Sequence, residues 1–227
     1  MNILVIEDDI NIVEAITIAF ETSWPDARVT STSLGEKGVE LVEIGNFEAV
    51  ILDLGLPDIS GFEVLKQIRL FSDVPILILT ATSDEIYIIK GLELGADDYI
   101  VKPGTPLQLI ARVKNILRRK VHLNETSITC GPLNLEPATA QVYCRGKEVH
   151  LTPTEYRILH CLLQHRGHIV SNNTLVRSVW DDDYPGATNC IKVYIRNLRR
   201  KIEEDPTHPK IILTKSGMGH FLASKPT

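Results

Sequence analysis

The sequence predicts an α/β fold for its first half, a five-stranded parallel sheet doubly wound with helices, and a smaller α+β domain after it. Three observations carry this. Short apolar runs alternate with helix-length amphipathic stretches over the first 120 residues. Runs such as ILVI (3–6), AVIL (49–52) and PILIL (75–79) show little polar alternation, as strands buried on both faces do. Beyond residue 127 come brief strands punctuated by Gly, Pro and Asn, then three helices and a hairpin.

In order, ILVI precedes a helix over 10–22, where Ile10, Val13, Ile16, Ile18 and Phe20 recur at loosely helical spacing. ARVTSTS (27–33) alternates as a strand, and 35–45 return to helix with Val39, Leu41 and Val42 inward. AVIL leads to a helix over Gly61–Arg69, PILIL to one over 84–94, and DYIV (98–101) to one over 106–119. Five strand–helix units in this length give a flavodoxin-like domain over 1–120. RRKVHLNETS (118–127) is polar and aperiodic, so 121–127 reads as a linker to a second domain over 128–227.

SITCG, LNLEP, AQVYC and KEVHL predict a small antiparallel sheet. TPTEYRILHCLLQHRG (152–167) is a helix with Thr152 at the N-cap, Pro153 in the first turn, Glu155 three residues on and Gly167 past the end. SNNTLVRSVW (171–180) is a second helix capped by Ser171, DDDYPGATN a loop, and CIKVYIRNLRRKIEED (190–205) a third helix. KIILTKSGMGHFLA (210–223) is a hairpin with a Gly-containing turn. Three helices followed by a hairpin outline a winged helix.

The net charge of −5 conceals an asymmetry: −8 over 1–120 and +3 over 121–227. An acidic half joined to a basic half fits two domains with different partners. No apolar run approaches the ~18 residues of a membrane span. MNILVIEDD has no basic segment before its apolar run, so a cytoplasmic protein without signal peptide or membrane partner is expected. Cys130, Cys144, Cys161 and Cys190 show no C-x-x-C spacing, which signals neither zinc nor redox chemistry and predicts reduced, buried thiols.

The strand ends carry the chemistry. In open parallel sheets, sites form at the carboxyl ends of strands. The first strand ends in Glu7-Asp8-Asp9, the third in Asp53, the fourth in Thr80 and the fifth in Lys102. Crowded carboxylates repel, and a hard cation such as Mg²⁺, which prefers oxygen ligands, relieves that cost. A carboxylate beside such a cation can accept a phosphoryl group as an aspartyl-phosphate. Lys102 and Thr80 suit phosphate oxygens. Taken singly, Asp53 reads as a turn residue, Thr80 as a helix cap and Lys102 as a surface lysine; their joint placement favours the site.

ILVIEDD, VILDLGLPDISG, LILTA and GADDYIVKP closely resemble the receiver domain of two-component response regulators across 1–120. The resemblance implies strand order 2-1-3-4-5 and Asp53 as phosphoacceptor from a sensor histidine kinase. It implies Glu7 and Asp8 as the acidic pair at Mg²⁺, with Asp8, Asp53 and the Gly55 carbonyl as direct ligands. It implies Thr80 and Lys102 as the phosphate-sensing pair, Tyr99 as an aromatic switch, and a homodimer formed on phosphorylation. Lys90, Asp97, Asp98, Arg112 and Arg118 are its candidate intersubunit ion pairs. Gly104 stands where the family usually has Phe, and Gln108 where it often has an interface Glu.

On the third helix of the second half, Ile191, Ile195, Leu198 and Ile202 form one apolar stripe. Lys192, Arg196, Arg199 and Arg200 lie off it, with Tyr194 nearby, and Lys215 and Ser216 sit on the hairpin turn. A basic helix after a short helix suits the major groove of DNA; a charged partner-binding surface is the alternative. LTPTEYRILHCLL, VYIRNLRRKIEEDP and TKSGMGHFL resemble the OmpR/PhoB winged-helix effector domain over 128–223. His220-Phe221 replaces the family's wing Tyr-Arg, and Ser216 its frequent wing Arg. WDDDYPGATN matches a segment that can touch RNA polymerase in that family. LFSDVP and DLGLPD lean towards the KdpE branch.

The expectation is a DNA-binding response regulator acting at promoters. It is no enzyme: it accepts a phosphoryl group and supports its own dephosphorylation without turning over an external substrate. Two rivals stand beside it: an aspartyl-phosphate phosphatase, which wants an Asp where Gly55 stands, and a regulator that binds DNA without phosphorylation.

Overall fold

A computed structural model describes residues 1–117, 127–180 and 187–223. The chain divides into two compact units, Met1–Arg118 and Arg119–Thr227. The first runs β1 (Asn2–Ile6), α1 (Ile10–Ser23), β2 (Arg28–Thr32), α2 (Gly35–Ile44), β3 (Ala49–Asp53), α3 (Gly61–Arg69), β4 (Ile76–Thr80), α4 (Glu85–Glu93), β5 (Asp98–Val101) and α5 (Pro106–Leu117). The sheet is parallel, in the order β2-β1-β3-β4-β5. Its winding reverses between β1 and β3, which opens a crevice at the carboxyl edge there.

Burial explains the unbroken apolar runs. Successive strand side chains point to opposite faces. On one face Ile3, Val5, Ile51, Leu77, Leu79 and Ile100 meet Val13, Ile16 and Phe20 of α1 and Leu109, Val113 and Ile116 of α5. On the other, Ile6 lies against α2 at Gly38 and Ile78 against α4 at Gly91. Each such aliphatic side chain contributes about 1.5–3 kcal/mol on burial, so the sheet's register is set by two apolar faces at once.

Polar side chains place the helix starts. The Asp9 carboxylate accepts from Asn11 N at 2.9 Å, and that of Asp84 from Ile86 N at 2.9 Å, capping α1 and α4. Helix α2 has no cap from its own segment; Asp58, in the β3–α3 loop, accepts from Gly35 N at 2.8 Å and Glu36 N at 2.9 Å. Those backbone N–H groups hold the Asp58 carboxyl at about 2.

The second unit opens with an antiparallel sheet of β6 (Ile128–Cys130), β7 (Leu133–Glu136), β8 (Gln141–Cys144) and β9 (Lys147–Glu148). Then come α6 (Pro153–Gln164), α7 (Asn172–Val179), α8 (Ala187–Ile202) and an antiparallel hairpin, β10 (Ile212–Lys215) with β11 (Gly219–Leu222). Buried Glu155 accepts from Thr152 N at 2.9 Å and from Lys201 Nζ of α8 at 2.7 Å, so one carboxylate starts α6 and pins α8. The third helix of the unit differs from the sequence expectation at both ends. It begins at Ala187 and stops at Ile202 rather than Asp205. Glu203 is drawn off to accept from Lys210 N, Ile211 N and Ile212 N at 2.8–3.0 Å.

All four cysteines are free and buried. Among the described residues no helix is long and apolar enough to cross a membrane.

Candidate functional site

Strand geometry brings the predicted acids together. Carboxylate oxygens of Glu7, Asp8 and Asp53 lie within 4.8 Å of one another, with Glu7 and Asp53 buried and Asp8 exposed. Lys102, at the end of β5, reaches across: its Nζ is 2.7 Å from Glu7 Oε2 and 3.1 Å from Asp53 Oδ2. Burial, with help from the Asp53 charge, raises the Glu7 carboxyl above its ordinary value against the pull of Lys102. Burial alone would lower the Lys102 ammonium, but its hydrogen bonds to Glu7 and Asp53 hold it above its ordinary value. Three hard oxygen donors on so small a patch are a chemically fitting set for a Mg²⁺-like cation.

The loop after Asp53 is shaped by close approach. A Cβ on Gly61 would overlap the Asp53 carbonyl and Leu54 Cα, and Gly61 N donates to Leu54 O at 3.1 Å. Only glycine lets α3 begin this near the end of β3. Gly55 faces the site, its Cβ position 3.6 Å from Asp53 Oδ2. Thr80 is buried, and its hydroxyl is engaged by the next loop: Thr82 N donates to it at 3.2 Å. Tyr99 is half-buried on β5, in register with Ile78. Asp9, the third acid of the run, is the α1 cap.

The expected intersubunit set needs correction. Asp97 is fully buried and accepts from Arg69 Nη2 at 3.2 Å and Ile76 N at 3.0 Å, so it braces β4 and α3 and presents no surface charge. Asp98 is also fully buried and pairs within the protomer with Arg112 Nη1 at 3.1 Å. Lys90 is exposed, with its ammonium 4.3 Å over the Phe62 ring. Arg118 lies outside the described residues.

In the second unit Lys192, Arg196, Arg200, Lys215 and Ser216 are exposed as expected. Two others are not where a DNA contact requires. Tyr194 is 1% exposed and its ring packs 5.7 Å from that of Trp180, so it belongs to the core. Arg199 is half-buried: its Nε and Nη2 donate to Ile212 O at 3.0 and 2.8 Å, and Nη2 also to Thr214 Oγ1 at 2.8 Å. It ties α8 to the hairpin. A groove lined by the start of α7, by Lys192 and Arg199, and by Thr214–His220 runs between helix and hairpin. Most of the loop DDDYPGATN, residues 181–186, lies outside the described residues.

Residues 3–114 match the family model described as "Response regulator receiver domain", and 146–222 match "Transcriptional regulatory protein, C terminal". The transcriptional regulatory protein AfsQ1 of Streptomyces coelicolor is 38% identical over 223 residues, covering 97% of both chains. The chain is a response regulator of the OmpR/PhoB family. The transcriptional regulatory protein KdpE of Mycobacterium tuberculosis is 37% identical, covering 96% of this regulator and 97% of that protein; the two relatives stand level, so the branch is not distinguished. The crystal structure of DrrB, described as a Thermotoga maritima OmpR/PhoB homolog, is 32% identical with a TM-score of 0.52, covering 97% of the regulator and 98% of that chain.

The regulator's departures from its family have physical accounts. Gln108 closes a reciprocal cap at the start of α5: its Oε1 accepts from Thr105 N at 3.1 Å, and Thr105 Oγ1 accepts from Gln108 N at 3.2 Å. The motif T-P-L-Q carried that signal in the sequence. Gly104 sits tight against β5, where a Cβ would overlap Ile100 Cγ2. His220, in place of the wing Tyr, is buried with Nδ1 3.0 Å from Thr214 Oγ1, and its backbone pairs with Val170.

Proposed function

We propose that a sensor histidine kinase transfers a phosphoryl group to Asp53 of this regulator, and that the phosphorylated chain dimerises and binds promoter DNA. The observation that carries the reading is the convergence of Glu7, Asp8, Asp53 and Lys102 on one rim. In the transfer a P–N bond of the donor breaks and a P–O bond to the Asp53 carboxylate forms. Asp8, Asp53 and the Gly55 carbonyl would hold Mg²⁺ directly, with Glu7 beside it. When bound, the cation neutralises charge on the phosphoryl oxygens.

Lys102 is already ion-paired to Asp53, so it is placed to take a phosphoryl oxygen there. Thr80 would exchange its bond from Thr82 N for another phosphoryl oxygen, and Tyr99 on the neighbouring strand would follow. The reshaped α4–β5–α5 face, with Lys90 exposed, is where a second copy would dock. Pairing between subunits through Asp98 and Arg112 would require exchange of their existing internal bond. In DNA binding, Lys192, Arg196 and Arg200 enter the major groove while Lys215 and Ser216 approach a phosphate. The stretch WDDDYPGATN (180–189), most of it outside the described residues, is the candidate contact for RNA polymerase, and the protein acts in the cytoplasm. The autophosphatase capacity resides at the same acids.

The test is phosphoryl labelling by acetyl phosphate with Mg²⁺, for wild type and Asp53→Asn. The variant is expected to take no label, and chelating the metal to suppress labelling of the wild type. Full labelling of the variant would remove Asp53 from the role.

A further inference from the structure

Residues 54–60, between the end of β3 and the start of α3, carry the Gly55 carbonyl proposed above as a cation ligand. The ends of this loop are pinned to the sheet and to each other: Leu54 N donates to Leu79 O at 3.3 Å, and Gly61 N to Leu54 O at 3.1 Å. Its middle is held by α2. One oxygen of the Asp58 carboxylate accepts from Gly35 N at 2.8 Å, and the other from Glu36 N at 2.9 Å. Beside that clamp the contact is apolar. A Cβ on Gly35 would lie 2.8 Å from Ile59 Cγ1 and 3.2 Å from Leu56 Cδ1, so two loop side chains bed on bare backbone. The start of α2 is in turn fixed to the strand ends. Leu34 N donates to Thr32 Oγ1 at 3.2 Å, and Glu7 N donates to Thr32 O at 3.0 Å. A path of bonds therefore runs from the Gly55 loop through Asp58, Gly35 and Thr32 to the strand that leads into Glu7 and Asp8. The Leu34 side chain offers α2 no cap, so Asp58 both caps a helix and tethers the loop.

Resting on the phosphorylation reading above, we propose that Asp58 is a positioning residue for the cation: by tethering residues 54–60 to α2 it aims the Gly55 carbonyl at the site shared with Asp8 and Asp53. A carboxylate ligand can be aimed by its own side-chain torsions. A backbone carbonyl cannot, and the path of its loop decides where it points. The octahedral geometry of Mg²⁺ leaves little tolerance for a misplaced ligand, whereas Ca²⁺ accepts flexible coordination. Removing a group that orients a ligand from behind typically costs about 10- to 100-fold in metal affinity. A carboxylate that only capped α2 would matter for stability and leave the cation site alone.

The test is calorimetric titration of the full chain with Mg²⁺ and with Ca²⁺, without phosphodonor, followed by acetyl-phosphate labelling at graded Mg²⁺. Wild type is compared with Asp58→Ala and with Asp58→Ala combined with Leu34→Ser. The second change gives α2 a cap from its own segment and does nothing for the loop. Asp58→Ala should weaken Mg²⁺ binding about 10-fold, and Ca²⁺ binding much less. Its labelling should need about 10-fold more Mg²⁺ for half-maximal rate and reach the wild-type rate at saturation. The double variant should melt at a higher temperature than Asp58→Ala and keep the weakened Mg²⁺ binding. Should Asp58→Ala alone not fold, the double variant carries the comparison with wild type. Unchanged Mg²⁺ affinity on loss of Asp58 overturns the assignment. An equal loss for both cations also overturns it, because then only the missing charge acts. So does Mg²⁺ affinity that returns together with stability, because Asp58 is then a helix cap and nothing more. A wild-type chain that binds no Mg²⁺ and takes no label overturns the phosphorylation reading itself.

Discussion

Replacing Arg199 with alanine separates tethering from DNA contact. The guanidinium makes two hydrogen bonds to Ile212 O and one to Thr214 Oγ1. The two bonds to one carbonyl act nearly as one. A hydrogen bond to a charged group is worth about 1.5–3 kcal/mol, and half-burial of the side chain trims this towards the lower end. A loss of about 2 kcal/mol is expected for the second unit. For a unit of this size that lowers the melting temperature by about 10 °C. Burial lowers the Arg199 pKa from its ordinary value, and the group stays charged throughout the accessible pH range. The assays are thermal unfolding and DNA affinity over a series of salt concentrations. Early melting is expected, with the logarithmic salt slope preserved in the folded fraction. If melting is unchanged and the slope falls by about one, Arg199 contacts a phosphate and the tether account is wrong.

Three further outcomes follow from the same geometry. Asp97→Ala leaves Arg69 and Ile76 N facing an empty position and should destabilise the first unit by about 3–5 kcal/mol; urea unfolding that matches wild type would return Asp97 to the surface. Gly61→Ala forces a Cβ into the Asp53 carbonyl and should both lower stability and slow acetyl-phosphate labelling, so unimpaired labelling would count against the close approach. Burial, aided by the Arg199 charge, lowers the His220 imidazole to about 4. The unfolded chain therefore binds the proton more readily: stability is complete above the unfolded value near 6.5 and falls by up to about 3 kcal/mol as pH drops through 4. His220→Gln should remove that part of the pH dependence, which paired unfolding curves at pH 7 and 4.5 would detect.

Legibility in the sequence tracked whether a regular rule joined the partners. The apolar runs ending in Glu7, Asp53, Thr80 and Lys102 could be read because strand ends in a parallel sheet share one edge. The cap of α6 could be read because Thr152 and Glu155 are three residues apart. Thr105 and Gln108 obey the same spacing rule, so the cap that accounts for Gln108 is equally local. What failed depended on partners far away. Asp97 has the look of a surface charge in sequence, but Arg69, 28 residues earlier, covers it. Arg199 looks like a DNA contact because it lies off the apolar stripe, yet the hairpin supplies its acceptors. Tyr194 follows the same logic: helical periodicity gives a direction but not the width of the buried sector, which Trp180 extends.

The traffic between α8 and the hairpin runs both ways. Arg199 donates forward to Ile212 O and Thr214, while Glu203 accepts from the amides of Lys210, Ile211 and Ile212. A basic and an acidic side chain one turn apart thus clamp the same strand. Helix and hairpin resemble the jaws of a caliper tied at both side chains, so spreading them costs these hydrogen bonds. A duplex whose grooves do not match the gap must itself bend to fit, so stiff and pliant operators with identical contact bases would be told apart by their elasticity.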